Sequence, residues 1–139
     1  MAAYRHEYKH EINTSDFITL SMRLNAALKA DEFARADGAY EITSLYFDDV
    51  YDTALKEKIS GVNCRDKFRL RRYNNDTEHI KIEKKSKRGG LCLKESAAIT
   101  STQAQSIIGG DIDFLVAQGG VMAELYSAVL VSYNGEYMG

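Results

Sequence analysis

The sequence predicts an α+β fold, an antiparallel β-sheet flanked by helices, and three observations predict it. Charged residues alternate with a period of two through residues 64–73 and 79–87, the signature of strands with one face turned each way. Asn74-Asn75-Asp76 and Arg88-Gly89-Gly90 carry turn chemistry between consecutive stretches, at hairpin spacing. Beyond residue 99 the apolar residues recur at helical spacing instead.

In order along the chain, residues 4–12 alternate aromatic or His positions with charged ones and read as a strand. Asn13, Thr14 and Ser15 offer N-caps, and Phe17, Leu20, Leu24, Ala27 and Leu28 follow at the spacing of an amphipathic helix. Residues 31–39, polar and containing Gly38, read as a loop. Residues 40–47 are rich in β-branched and aromatic side chains and end on Asp48-Asp49, a second strand followed by a turn. A helix-like stretch over 52–59 leads through Gly61 into strands at 64–73, 79–87 and 91–99, a three-stranded antiparallel meander. Thr100 and Gln103 have capping-box spacing and open a helix through Ile108, which Gly109-Gly110 stops. Residues 111–117 form a second short helix, and after Gly119-Gly120 the residues Val121, Met122, Leu125 and Val129 outline a third.

With 139 residues, 45% hydrophobic and 27% charged, the chain is expected to be one soluble domain over 1–139. It has no apolar run of membrane-spanning length, and its N-terminus turns charged before a signal region can form, so a cytoplasmic location is expected. Cys64 and Cys92 are too few and too far apart for a disulfide framework or a zinc site and read as reduced packing residues. The net charge of -2 conceals an asymmetry: residues 56–95 hold thirteen Lys or Arg against six Asp or Glu, and the remainder five against fourteen. One basic segment in a nearly neutral chain makes a local field that attracts anions.

Alternation in the extended strand puts Arg65, Lys67, Arg69 and Arg71 on one face. The next strand does the same with Lys81, Glu83, Lys85 and Lys87, and the first with Arg5, Glu7, Lys9 and Glu11. Neighbouring like charges repel, so such rows are placed where something anionic is held between them, in a groove or a barrel interior. For any one lysine a solvated sheet face is the simpler reading; the repetition over several strands favours a phosphate-rich polyanion. Glu7, Glu11 and Glu83 among the bases can hold a divalent metal bridging phosphate oxygens, or can orient the bases; the residues leave both open. His6, His10 and His79 read as strand-packing residues, Tyr46 and Phe47 as core, and Gly89-Gly90 as a turn only. Nucleic acid is disfavoured because the basic faces lack interleaved exposed aromatics for base stacking.

An ordered set of residues resembles the VTC domain, the polyphosphate polymerase domain of the vacuolar transporter chaperone complex. Its bacterial relatives in the triphosphate tunnel (CYTH-like) superfamily are similar too. The set is Arg5-x-Glu7-x-Lys9, Ser44-Leu45-Tyr46-Phe47-Asp48, Glu57-Lys58 with Gly61, Arg65-x-Lys67-x-Arg69-x-Arg71-x-Tyr73, Glu83-Lys84-Lys85 and Lys94-Glu95-Ser96. It extends over roughly residues 4–130, and its most specific part is Ser-Leu-Tyr-Phe-Asp followed by the Arg-x-Lys-x-Arg-x-Arg strand. The resemblance implies that the sheet is part of a triphosphate-tunnel-like barrel whose interior binds triphosphate or polyphosphate with Mn²⁺ or Mg²⁺. In polymerase members the γ-phosphate of ATP passes to a growing polyphosphate chain. By motif, Lys9, Lys58, Arg69, Arg71 and Lys85 fall on phosphate-binding positions, with Lys94 a looser match and Lys87 where the eukaryotic polymerase carries a His. Arg65 and Lys67 join them from the strand alternation. Glu7 and Glu83 are the candidate metal ligands, although Arg5 replaces the first Glu of the superfamily's Glu-x-Glu-x-Lys motif.

The family's domains continue past the last helix with further basic strands and an acidic metal ligand, whereas this sequence stops at Gly139. The expectation is therefore the N-terminal part of the tunnel fold, either as a fragment or as a half-tunnel completed by a partner chain, with catalytic residues unassigned. A polymerase-like or triphosphate-hydrolysing enzyme is one functional class. A non-catalytic module binding polyphosphate or inositol polyphosphates is the other. An open sheet edge would favour a homo-oligomer through strand pairing.

Overall fold

The computed structural model describes residues 2–32, 34–48 and 51–133. Two hairpin connections, residues 74–79 and Gly89-Gly90, build the centre of its sheet. Strand β3 (Cys64–Tyr73) turns at Asn74 and Asn75, both left-handed at φ 51° and 57°, a conformation Asn tolerates better than most residues. Strand β4 (Ile80–Arg88) turns into β5 (Leu91–Ile99) through Gly89 and Gly90, at φ 55° and 89°. Two positive-φ residues make the hairpin turn whose twist matches its strands. With β1 (Arg5–His6) and β2 (Ile42–Tyr46) they form one antiparallel sheet in the order β1-β5-β4-β3-β2. The five described strands form an open sheet with β1 and β2 at its edges, so the antiparallel sheet is present and the barrel is not closed.

The helices are α1 (Thr14–Ala27), α2 (Thr53–Ile59), α3 (Ser101–Gly109), α4 (Phe114–Gln118) and α5 (Gly120–Tyr133). Pleating sends Leu70, Ile80, Ile82 and Ile99 to one side, where they pack with Ala104, Ile107, Ile112, Leu115, Val121, Met122 and Leu125 of the C-terminal segment. A charged contact lies beside this core: Lys84 pairs with Glu124 on α5 and, at 3.9 Å, with Glu95 on β5. The predicted capping box holds, since Thr100 Oγ1 accepts from Gln103 N at 3.1 Å and Gln103 Oε1 accepts from Thr100 N at 2.9 Å. Among the described residues no helix is long and apolar enough to cross a membrane.

Several expectations are corrected. The first strand is two residues long rather than spanning 4–12, because its register with β5, Arg5 to Cys92 and His6 to Leu91, carries the next pair into the Gly90 turn. Helix α1 has its predicted cap, Asn13 Oδ1 accepting from Asp16 N at 2.8 Å, yet none of its residues is buried and Phe17 is 60% exposed. His6, His10 and His79 are all exposed rather than in the core; the His6 ring stacks on Tyr8 at 5.8 Å between centroids, and His79 Nδ1 lies 2.5 Å from Asp76 Oδ2 in a turn. Cys64 and Cys92 are free thiols, but Cys64 is exposed and Cys92 only partly buried, so neither is a core residue. The fourth helix begins at Phe114 rather than at 111. The turn predicted at Asp48-Asp49 falls partly outside the described residues, as do residues 134–139.

The one-sided core makes two opposite expectations. Ile82 is 0% exposed at the centre of the sheet, and Ile82→Ala should cost about 2–5 kcal/mol of unfolding free energy. Phe17→Ala on the exposed helix should change it by less than ~0.5 kcal/mol. Urea unfolding of both variants checks the pair.

Candidate functional site

The face of the sheet away from the core carries the charge, and strand register arranges it in rows. Lys67, Lys85 and Lys94 stand opposite one another across β3, β4 and β5. The row on one side holds Arg65, Lys87 and Cys92, and β1 adds Arg5 opposite Cys92. The row on the other side holds Tyr46, Arg69, Glu83 and Ser96, followed by Ser44, Arg71, Lys81 and Ala98. Alternation on β3 spaces its four cations about 7 Å apart, over roughly 20 Å.

Glu7, Lys9, Arg65, Lys67, Lys85 and Lys87 line one cavity of about 400 Å³, with Gly90 and Cys92 at its wall. Five cations surround one carboxylate there. Glu7 reaches Lys85 Nζ with both oxygens, at 2.8 and 2.7 Å, and Lys9 at 3.7 Å. The hydrogen bond from Lys85, ahead of an opposing effect of burial, holds the Glu7 carboxyl below its usual range. Lys67 has no carboxylate partner among the described residues. Burial first, then repulsion from Arg65 and Lys58, pushes its ammonium pKa down. A cation destabilised in this way gains most when an anion arrives.

Lys58 reaches the same neighbourhood from α2. That helix begins after Asp52, left-handed at φ 54° and without a side-chain cap; Asp48 substitutes for it, its carboxylate accepting from Ala54 N at 2.8 Å and Leu55 N at 3.1 Å. At the other end Arg65 Nη1 donates to the carbonyls of Glu57 and Val62, at 3.3 and 3.1 Å, joining α2 to the sheet. Lys58 and Lys67 then share a second cavity of about 390 Å³ with Tyr46, Phe47 and Leu55.

The second centre of the face is Glu83, 3% exposed. Its Oε2 accepts from Arg69 Nε at 2.5 Å and lies 3.7 Å from Arg71 Nε, while Oε1 is 2.9 Å from Lys94 Nζ. Arg69 Nη1 donates to Tyr46 Oη at 3.0 Å, with the guanidinium 5.8 Å from the ring centroid. Arg71 repeats the arrangement more loosely with Ser44 Oγ at 3.4 Å and Tyr73 Oη at 3.5 Å.

All the sequence-predicted cations lie on or beside this face: Lys9, Arg65, Lys67, Lys85 and Lys87 around the first cavity, Arg69, Arg71 and Lys94 around Glu83, and Lys58 beside Lys67. Glu11 is exposed and outside both groups. Tyr46 is the correction: expected in the core, it is 51% exposed on the cationic face. The hydrogen bond with Arg69 leads the lowering of its phenol pKa, against burial and with help from the positive charges of Arg69, Arg71 and Lys67. Its parity was legible, since it lies two residues from Ser44 on an alternating strand. Among the described residues no three His, Cys, Asp or Glu side chains group as a metal cluster.

A family model for the VTC domain matches residues 4–133. No curated protein and no solved structure matches the chain.

Burial, the largest influence on Glu83, raises its carboxyl pKa, but the hydrogen bonds from Lys94 and Arg69 outweigh it and hold the group below the usual 4.5. A depressed folded-state value means the native protein keeps this proton off longer than the unfolded chain does. The resulting stability is present in full above pH 4.5 and is lost as pH falls through the depressed value. Urea unfolding from pH 7 down to pH 3 should show this fall, and Glu83→Gln should begin lower and lose less on acidification.

Proposed function

The chain belongs to the VTC domain family, and from that premise we propose that its cationic face binds the phosphates of a linear polyphosphate or nucleoside triphosphate, as part of the wall of a phosphate tunnel. The observation that carries this reading is the row Lys67, Lys85, Lys94 beside Arg65 and Lys87, with Glu7 the one carboxylate at the cavity wall. Charged hydrogen bonds from Lys and Arg to phosphate oxygens are short and strong, and a half-buried face strengthens them further. The face extends beyond one cavity into the Arg69, Arg71 and Lys94 group, which suits an extended anion better than a compact one.

The reaction proposed for this face is polymerase-like transfer from ATP. A terminal oxygen of the polyphosphate chain attacks the γ-phosphorus, and the bond from that phosphorus to the β,γ-bridging oxygen breaks, so that ADP leaves with the electron pair. The acceptor oxygen is already anionic and needs no protein base; positioning and charge neutralisation are the protein's share. Of the two candidate metal ligands, Glu7 fits. Mg²⁺ or Mn²⁺ bound with phosphates takes one or two carboxylates and fills its remaining positions with phosphate and water oxygens. Glu83 does not, since it is 3% exposed with its oxygens enclosed by Arg69 and Lys94, whereas Glu7, although it meets Lys85, lines the cavity where an incoming phosphate and its metal could reach it. A bound metal would neutralise charge on the phosphate oxygens.

Isothermal calorimetry with inorganic tripolyphosphate tests the binding. The wild-type protein should release heat and bind more weakly as salt rises. Lys85→Ala and Arg71→Ala should each lose about 1.5–3 kcal/mol, roughly ten- to a hundred-fold in affinity. Incorporation of γ-labelled phosphate from ATP and Mn²⁺ into polyphosphate tests the transfer. Binding without incorporation would make this a module for polyphosphate or inositol polyphosphates, and no heat with tripolyphosphate would sink the phosphate reading altogether.

A further inference from the structure

A carboxylate at the centre of a face that attracts anions opposes the face's own charge, and Glu83 is the one charged side chain buried among the described residues. Removing a carboxylate from water is unfavourable unless strong partners replace the water. Here three cations converge on it from two strands: Arg69 and Arg71 from β3 and Lys94 from β5.

The consequence lies in what each cation has left to offer. Arg69 is gripped at Nε by Glu83 and at Nη1 by Tyr46 Oη, so its guanidinium plane is fixed at two points. A guanidinium has five N–H donors, and the remainder stay available to a ligand. Arg71 is placed between Glu83, Ser44 and Tyr73 in the same manner. Lys94 is the only lysine of the row Lys67, Lys85, Lys94 whose ammonium touches Glu83. Free Arg and Lys side chains would have to be immobilised by the ligand at a cost in rotamer entropy, whereas side chains already held have met that cost during folding.

We propose that Glu83 is a positioning residue for anion binding: a buried carboxylate that holds Arg69, Arg71 and Lys94 in the arrangement a phosphate chain meets. The proposal rests on the phosphate-binding reading and deepens it, replacing a metal role for Glu83 with an organising one.

The sign of one substitution distinguishes this from simple charge attraction. Glu83→Gln adds one net positive charge to the face. If the face is a field without fixed geometry, the variant binds inorganic tripolyphosphate more tightly than wild type. If Glu83 positions the cations, it binds at least tenfold more weakly despite the added charge. Glu83→Asp keeps the charge and withdraws the carboxylate by one methylene, and should weaken binding too; it serves as the measurable variant should the glutamine form fail to fold by circular dichroism. In a double-mutant cycle, Arg69→Gln should cost less affinity in the Glu83→Gln background than in wild type, because the two act as a unit. A merely structural role for Glu83 would leave the two losses additive. Unchanged or tighter binding by both Glu83 variants, or an additive cycle, overturns the proposal while wild-type binding persists. Absence of wild-type binding overturns the phosphate reading and this proposal with it.

Discussion

Lysine stands opposite lysine across three hydrogen-bonded strands, and the one-sided architecture follows from having to tolerate that row. Two like charges 4 Å apart repel by about 1 kcal/mol in water and about 4 kcal/mol at an effective dielectric of 20. Lys67, Lys85 and Lys94 are therefore compatible with the fold only on a face that keeps its water, and a helix laid over them would be expelled. The C-terminal helices pack on the opposite face. Two carboxylates relieve the row unevenly: Glu7 meets Lys85, Glu83 meets Lys94, and Lys67 is left with cations for neighbours. The residual repulsion is what the proposed anion would relieve.

Turn chemistry remote from the cations decides where they point. A strand slipped by one residue exchanges its two faces; in β4 that would turn Ile80 and Ile82 outward and bring Lys81, Lys85 and Lys87 against the helices. The Asn74-Asn75 and Gly89-Gly90 turns constrain the register at opposite ends of β4, and the buried Ile82 and Leu70 pair fixes it between them. Asn74 does a second service: its Oδ1 accepts from Glu41 N at 3.0 Å and Arg35 Nε at 3.1 Å, joining the turn to the segment that enters β2. The hydrophobic core and the cationic rows are two readings of one alternation, and neither can move alone.

Period-two charge alternation was legible in the sequence because it is local, and so were the meander, its turns, an N-cap among Asn13, Thr14 and Ser15, and the capping box at Thr100. What escaped depends on partners distant in the chain. Residues 4–12 alternate like a strand, but strand length is set by the neighbour, and β5 begins only at Leu91, so the pairing would continue into the Gly90 turn. Phe17, Leu20 and Leu24 have helical spacing, which defines a helix without saying that anything covers it. Tyr46 looked like core because aromatic residues usually are; its parity on β2, opposite Arg69, placed it on the charged face instead. Glu83 carried two open readings, ligand or organiser, since its burial and its contacts with Lys94 and Arg69 come from strands on either side.

The distribution of Arg and Lys over the face has its own physical logic. Arginine occupies Arg69 and Arg71, where a guanidinium can meet a carboxylate or hydroxyl at Nε, a phenol at Nη1 and a tyrosine ring nearby. A lysine there would offer one point charge and could not satisfy Glu83 and Tyr46 in fixed directions. Lysine occupies Lys67, Lys85 and Lys87 around the open cavity, where a flexible stem and a compact ammonium can follow the oxygens of an anion whose position varies. The face thus combines a rigid half, organised by Glu83, with an adaptable half around Lys67. A chain of repeating phosphates fits that combination, because one unit can be held in register while its neighbours are gripped by charge alone.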